Sequence, residues 1–375
     1  MTDVYITGFG KFLPNSPIDN SNIESVIGKI HNSSSRLGKM VLRKNGIKSR
    51  HYALDSHGKV HYTNSQMAAL AITKALEFAQ LQPNDISYLA SSTTLGDIIV
   101  PGFASQVHQQ LKAPPMEVAS FQSVCASGVM ALKSAFAQIK ANLHSKALVS
   151  GSEFSSRWFR PGFYESIIRP EDAEKAPFDL EFLRWTLSDG AGAVVLENNP
   201  HPNKVCLKIE WIELKSYADR FEPCMYAGTA SNKPSALKSW GHYPSPAEAY
   251  QAGALALKQD FTMLYEMFPI WASFYIEMLE KHQLDVDSID YFLPHYSAES
   301  LGNEMEKLLQ KSGSMIPREK WFNNLKTCGN TGSASIYIML EELINKNELH
   351  KDQKILCFVP ESGQCIASFF LLTVG

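Results

Sequence analysis

Short apolar runs alternate with longer amphipathic stretches along most of the chain. The segments DVYITGFG (3–10), ISYLASSTT (86–94), ALVSGSEF (147–154) and GAVVLE (192–197) are brief, enriched in β-branched residues and bounded by small ones. Runs of this kind predict buried strands. Between them, 65–80 and 104–111 carry their apolar residues on one stripe at helical spacing. Strands alternating with helices at this interval predict an α/β architecture.

The texture changes at 197–204, where ENNPHPNK holds two prolines and three asparagines. This composition predicts a linker or long surface turn, and divides the chain into an N-terminal part, 1–200, and a C-terminal part, 201–375. A second series follows: VCLKIEWIEL (205–214), IDYFLPHYS (289–297), a helix over 299–311, another starting near Ser335, and ILCFVPESGQCIASFFLLTV (355–374). The stretch 217–273 fits neither series. Its aromatic and Met residues, among them Met225, Trp240, Phe268 and Trp271, predict an insertion that lines a pocket.

Composition narrows the function classes. The 375 residues suffice for two domains or one large divided core, and 45% apolar with 19% charged residues is ordinary for a globular protein. A formal charge of −3 offers no footprint for nucleic acid or an anionic membrane surface. Six cysteines without a CxxC pair predict neither a zinc site nor a disulfide framework, and no metal is expected. The N-terminal residues do not read as a signal peptide, and no run of 18 apolar residues predicts a membrane span. The expectation is a cytoplasmic protein with reduced thiols.

Candidate chemistry centres on 117–142. Three small residues follow Cys125 (Ala126, Ser127 and Gly128), and then Met130, Ala131, Leu132, Ala135, Phe136 and Ile139 recur at helical spacing. Cys125 is therefore expected at a helix N-terminus, where unpaired N–H groups and the dipole favour thiolate and can stabilise an oxyanion. The alternative is a buried structural cysteine. Cys328, in the glycine-containing loop TCGNTGSAS, competes for the same role, whereas Cys206, Cys357 and Cys365 lie in strand-like runs.

A working thiol needs a partner brought near by the fold. Most histidines (His31, His57, His108, His144, His201, His282 and His350) lie in polar stretches, and His51, His61 and His242 stay open by pattern. His295 follows the apolar strand IDYFLP directly, so a strand end presents it, where α/β proteins place chemistry. Asn330 lies in a tight loop before a helix, either as a turn residue or as an amide donor aimed into a site. Glu153, at a strand end, is either a structural cap or a base, and Asp189 in SDGAG reads as a turn residue.

Taken in order, NGIKSRHYA (45–53), LASSTT (89–94), SVCASGVMAL (123–132), ALVSGSEF, LSDGAGAVVLE (187–197), FLPHYSAES (292–300) and GNTGSASI (329–336) resemble the thiolase-fold condensing enzymes, specifically the β-ketoacyl-ACP synthase III group. The resemblance spans nearly the whole chain and selects Cys125 over Cys328. It implies a five-layer αβαβα fold of two pseudo-symmetric halves, 1–200 with Cys125 and 201–375 with His295 and Asn330, assembled as a homodimer. It implies no permanently bound cofactor; acyl-CoA or acyl-carrier-protein thioesters are the substrates. Cys125 would accept the acyl group, while His295 and Asn330 would hold the thioester carbonyl of a second, malonyl or β-ketoacyl substrate for Claisen condensation. The oxyanion donors implied are the backbone N–H of Cys125 and of Ser362 or Gly363. Glu153 is the candidate auxiliary acid or base on its strand-end position alone.

Three departures point away from the housekeeping role. Tyr296, Ser297 and Ala298 follow His295 where the group has Gln-Ala-Asn, the glycine-rich final turn is reduced to ESGQ, and the aromatic section is longer. They suggest a relative acting on larger acyl or β-ketoacyl units, as in dialkylresorcinol, cyclohexanedione, pyrone or aryl-polyene pathways. The competing readings are an acyltransferase to oxygen or nitrogen, a non-catalytic partner subunit and a cysteine hydrolase.

Overall fold

The computed structural model describes residues 2–200, 204–346 and 349–375. His201 and the centre of the expected linker lie outside the described residues. In the first half, strands β1 (Tyr5–Phe12), β2 (Tyr88–Thr93), β3 (Glu117–Gln122), β4 (Lys146–Glu153) and β5 (Gly190–Glu197) accompany helices α1 (Asn64–Ala79), α2 (Phe103–Leu111), α3 (Ser127–Lys140) and α4 (Phe178–Thr186). The second half supplies β6 (Leu207–Ser216), β7 (Tyr291–Pro294), β8 (Lys354–Phe358) and β9 (Ile366–Val374), with α5 (Phe261–Lys281), α6 (Glu299–Lys311) and α7 (Ser335–Lys346).

The strands lie in the order β7-β8-β9-β6-β1-β5-β4-β2-β3. β4, β2 and β3 run parallel, as do β7 and β8; the remaining neighbours pair antiparallel. Within the sheet, the described residues of the two halves pair at β1 and β6, through Tyr5↔Lys208 and Ile6↔Leu207.

Both faces of each half are covered, which is why its strands read as continuous apolar runs. In β8 and β9, Leu356, Phe358, Phe369 and Leu371 join one core, while Ile355, Cys357, Phe370 and Leu372 join another. This is the period-two alternation of a strand buried on two sides. The second core also takes Val129 and Leu132 of α3 and Ile336, Tyr337 and Leu340 of α7, so these helices fill the middle layer. Helices α1 and α2 cover the outer face of the first half, and α5 and α6 that of the second. The result is the expected αβαβα layering.

Close approach at the middle layer depends on small residues. A Cβ on Gly128 would lie 2.5 Å from the Ser333 carbonyl oxygen, and one on Gly151 only 2.3 Å from it. These contacts seat the loop before α7 directly against α3 and β4.

Part of the unassigned 217–273 stretch is regular structure. α5 runs for 21 residues through Pro269 and is capped by Asp260, whose side chain accepts from Met263 N–H at 3.0 Å. Leu264, Met267, Phe268, Trp271, Phe274, Tyr275 and Met278 form its buried stripe. Packing of this stripe outweighs the backbone bond that a mid-helix proline removes. Among the described residues no helix is long and apolar enough to cross a membrane.

Candidate active site

β3 ends at Gln122 and α3 begins at Ser127, so Cys125 occupies the connecting turn. His295 directly follows β7, and its N–H continues the parallel ladder onto the Phe358 carbonyl at 2.8 Å. Asn330 sits where Ser188 N–H bonds its carbonyl at 2.8 Å and its own N–H bonds the Thr186 carbonyl at 3.1 Å. These three distant segments converge on one narrow cavity of about 40 Å³, whose lining includes Cys125, His295, Asn330, Tyr296, Gln259 and Ser362. Leu264, Phe268 and Trp271 of α5 close it. The aromatic stretch thus lines a pocket, as its composition predicts.

The three polar groups are nearly enclosed: Cys125 is 7%, His295 5% and Asn330 3% exposed. Burial pushes the His295 pKa down to about 4, so the imidazole is neutral at physiological pH. Asn330 Oδ1 accepts from Gly332 N–H at 2.9 Å. That local turn uses the carbonyl end of the amide and leaves the NH₂ end free to face the cavity.

The thiol departs from expectation. Burial first, and then the carboxylates of Glu361 and Glu153, raise the Cys125 pKa well above the ordinary range. One donor at the helix start that would favour a thiolate is occupied, since Ala126 N–H bonds Glu361 Oε2 at 3.0 Å. A buried anion at this helix start opposes the dipole. Cys125 is therefore a thiol in the resting fold. The N–H groups of Cys125, Ser362 and Gly363 make no backbone hydrogen bond among the described residues.

Glu153 lies in a second, larger cavity of about 510 Å³, which shares Val124, Leu187 and Met225 with the first. Its Oε1 accepts from Thr94 N–H and Oγ1 and from Ser333 N–H and Oγ, at 2.7–3.3 Å. Burial nevertheless raises its pKa to about 7. Asp189 is more than a turn residue: fully buried, it accepts from Ala53 N–H and from Ser156 N–H and Oγ, stitching three segments. Cys328 Sγ packs 3.6 Å from Glu342 Oε1 and is absent from the cavity wall, as are His51, which bonds the Pro14 carbonyl, and His61, which pairs with Asp55. Sequence reasoning missed Gln259, Leu264 and above all Glu361. The only signal for Glu361 was an acid in an otherwise small-residue turn.

Residues 279–371 match the family model described as 3-oxoacyl-[acyl-carrier-protein (ACP)] synthase III C terminal. Across 356 residues the chain is 25% identical to a β-ketoacyl-[acyl-carrier-protein] synthase III of Clostridium perfringens, covering 95% of each chain. Among solved structures it is similar to AbyA1, a tetronic acid condensing enzyme, with a TM-score of 0.78 and 21% identity over 98% of this chain and 99% of that one. OleA of Xanthomonas campestris with bound lauric acid and lauroyl-CoA aligns with a TM-score of 0.75 and 17% identity over 99% of both.

Proposed function

We propose that this chain, which groups with the β-ketoacyl-ACP synthase III-like condensing enzymes, forms carbon–carbon bonds from an acyl group carried on Cys125. The convergence of Cys125, His295 and Asn330, all nearly buried, on one pocket carries the reading. Cys125 attacks an acyl-CoA or acyl-carrier-protein thioester. The new thioester forms, the old one breaks, and the thiol's proton leaves with the departing thiol. The N–H groups of Cys125 and of Ser362 or Gly363 hold the oxyanion, and His295 and Asn330 then hold the thioester carbonyl of a malonyl or β-ketoacyl partner. With a malonyl partner, CO₂ loss leaves an enolate that attacks the acyl carbonyl and expels the Cys125 thiolate, which is then reprotonated. A neutral imidazole and a free amide NH₂ suit this task, because donors fixed in a dry site need no reorganisation as charge develops.

The size of the adjoining cavity supports an acyl unit larger than acetyl, and lauroyl-CoA in the OleA structure is the same class of donor. A pKa of about 7 and a position on that cavity wall support proton exchange between Glu153 and such a unit. Self-association into a homodimer belongs to the same reading. The edge strand β3 and the neighbouring Ile98, Ile99 and Val100, between 55% and 78% exposed, form an apolar margin of the kind subunits cover.

Intact-protein mass spectrometry with a mixed pool of acyl-CoA and acyl-carrier-protein thioesters tests the reading. The wild type should gain one acyl mass and Cys125→Ala none. Loading that persists in the variant, or moves to Cys328, would refute it. Acyl transfer to an added alcohol or amine without carbon–carbon product would replace condensation by simple transfer.

A further inference from the structure

The final turn carries a buried acid that the loading chemistry does not use. Glu361 is 2% exposed. Its Oε1 accepts from Ser123 Oγ at 2.5 Å and its Oε2 from Ala126 N–H at 3.0 Å, and Val124 N–H also bonds the carboxylate. One side chain thus takes the backbone donors on both sides of Cys125 and leaves the Cys125 N–H between them.

The same residue anchors the turn between β8 and β9. Glu361 N–H bonds the Ile366 carbonyl at 2.8 Å, and Ile366 N–H returns to the Glu361 carbonyl at 3.2 Å. Gly363 packs on the carboxylate, where a Cβ would lie 2.9 Å from Oε1 and 3.0 Å from Val124 Cγ2. From the far side, Cys224 N–H holds the Gly363 carbonyl at 2.8 Å and Met225 N–H the Ser362 carbonyl at 3.0 Å. The turn that bears one set of oxyanion donors is therefore tied to the segment that bears the other by a single buried carboxylate.

We infer that Glu361 is a positioning residue that clips the Cys125 segment to the C-terminal turn and so sets the spacing between the Cys125 and Gly363 N–H groups. The inference rests on the condensing-enzyme reading, because only an acyl oxyanion needs those two donors at one spacing. An anion that accepts two amides and a hydroxyl is a strong and directional tie. Its negative charge opposes thiolate formation, so this fold gains donor geometry at the expense of thiolate fraction. The titratable groups facing Cys125 are Glu361, Glu153 and, across the cavity, His295.

Three measurements on wild type, Glu361→Gln and Glu361→Gly test the clip. The first is the pH profile of Cys125 alkylation by iodoacetamide, read by peptide mass spectrometry. The second is hydrogen exchange of the peptide spanning 123–127, and the third is the acyl-loading rate from a panel of acyl-CoA thioesters. In both variants the alkylation midpoint should fall by about one pH unit, or about tenfold in rate below both midpoints. Exchange at 123–127 should quicken at least about tenfold in Glu361→Gly, and loading should slow by a similar factor in both variants. Thioesters that fail to load even the wild type would refute the condensing-enzyme reading, while alkylation and exchange would still report on the clip. Unchanged alkylation and exchange would overturn the clip. So would faster alkylation with undiminished loading, since Glu361 would then be a charge and not a tie.

Discussion

Asn330 shows how one side chain serves two ends. Its oxygen makes a local turn to Gly332 N–H, and that bond decides which end of the amide faces the cavity. Pattern allowed either a turn residue or a site donor, and the geometry makes it a turn residue whose free end lines the site. His295→Ala and Asn330→Ala should each still load acyl groups but lose about 10²–10³-fold in condensation, as when one oxyanion donor is removed. Radiolabelled malonyl incorporation checks this, and condensation at the normal rate in either variant would remove that residue from the proposed role. The protonation state of Cys125 was the illegible part at this scale. The acids that set it come from a distant turn, Glu361, and another strand, Glu153, and Glu361 bonds Ala126 across 235 positions of sequence. Glu153 has its own signature. Its folded pKa of about 7 lies above the usual 4.5, so the native state binds this proton more tightly than the unfolded chain does. The resulting penalty is absent below pH 4.5, grows as pH rises, and is complete above about 7. Glu153→Gln should therefore be roughly 1–3 kcal/mol more stable than wild type at pH 8 and no more stable at pH 4.5, by urea denaturation at the two pH values. An equal difference at both would mean that Glu153 is not a strained buried acid.

Elements with one clear period were readable in advance. β1, β2, β4 and β5 fall on the expected runs, and α1, α2 and α6 lie within a residue or two of their stripes. α5 was not, because Pro269 and Glu266 interrupt an apolar run that helical spacing would otherwise mark. Its helix follows from what it packs on: Phe274 and Tyr275 meet Phe369, which no local pattern can foresee. One close contact between layers is the seat of the Ser333–Ala334 backbone on Gly151. Gly151→Ala would drive a Cβ to 2.3 Å from a carbonyl oxygen, with backbone and not a flexible side chain on the other side. Destabilisation of about 1–3 kcal/mol should follow, with weaker condensation because the loop bearing Asn330 must shift. Guanidinium unfolding and a condensation assay check both. A variant with wild-type stability would show that the layers are less tightly set than the geometry implies.

At the scale of the molecule, the layered architecture was legible because apolar strands covered on both faces have few other solutions. The cavities were not, since they lie between layers and take walls from both halves. The exposed margin at Ile98–Val100 leads to an assembly prediction. Light scattering after size exclusion should give a dimer, and Ile99→Glu should shift it toward monomer at micromolar concentration. A wild-type monomer across that range would end the homodimer reading. The junction between halves has a further consequence. Among the described residues the sheet crosses from one half to the other through two residue pairs, at Tyr5 and Ile6, yet Cys125 sits on one side and His295 and Asn330 on the other. Much of the grip between the halves thus falls to the middle helices, whose packing also encloses the thiol. Mild denaturant that loosens this packing should therefore raise the Cys125 alkylation rate above its native value before global unfolding.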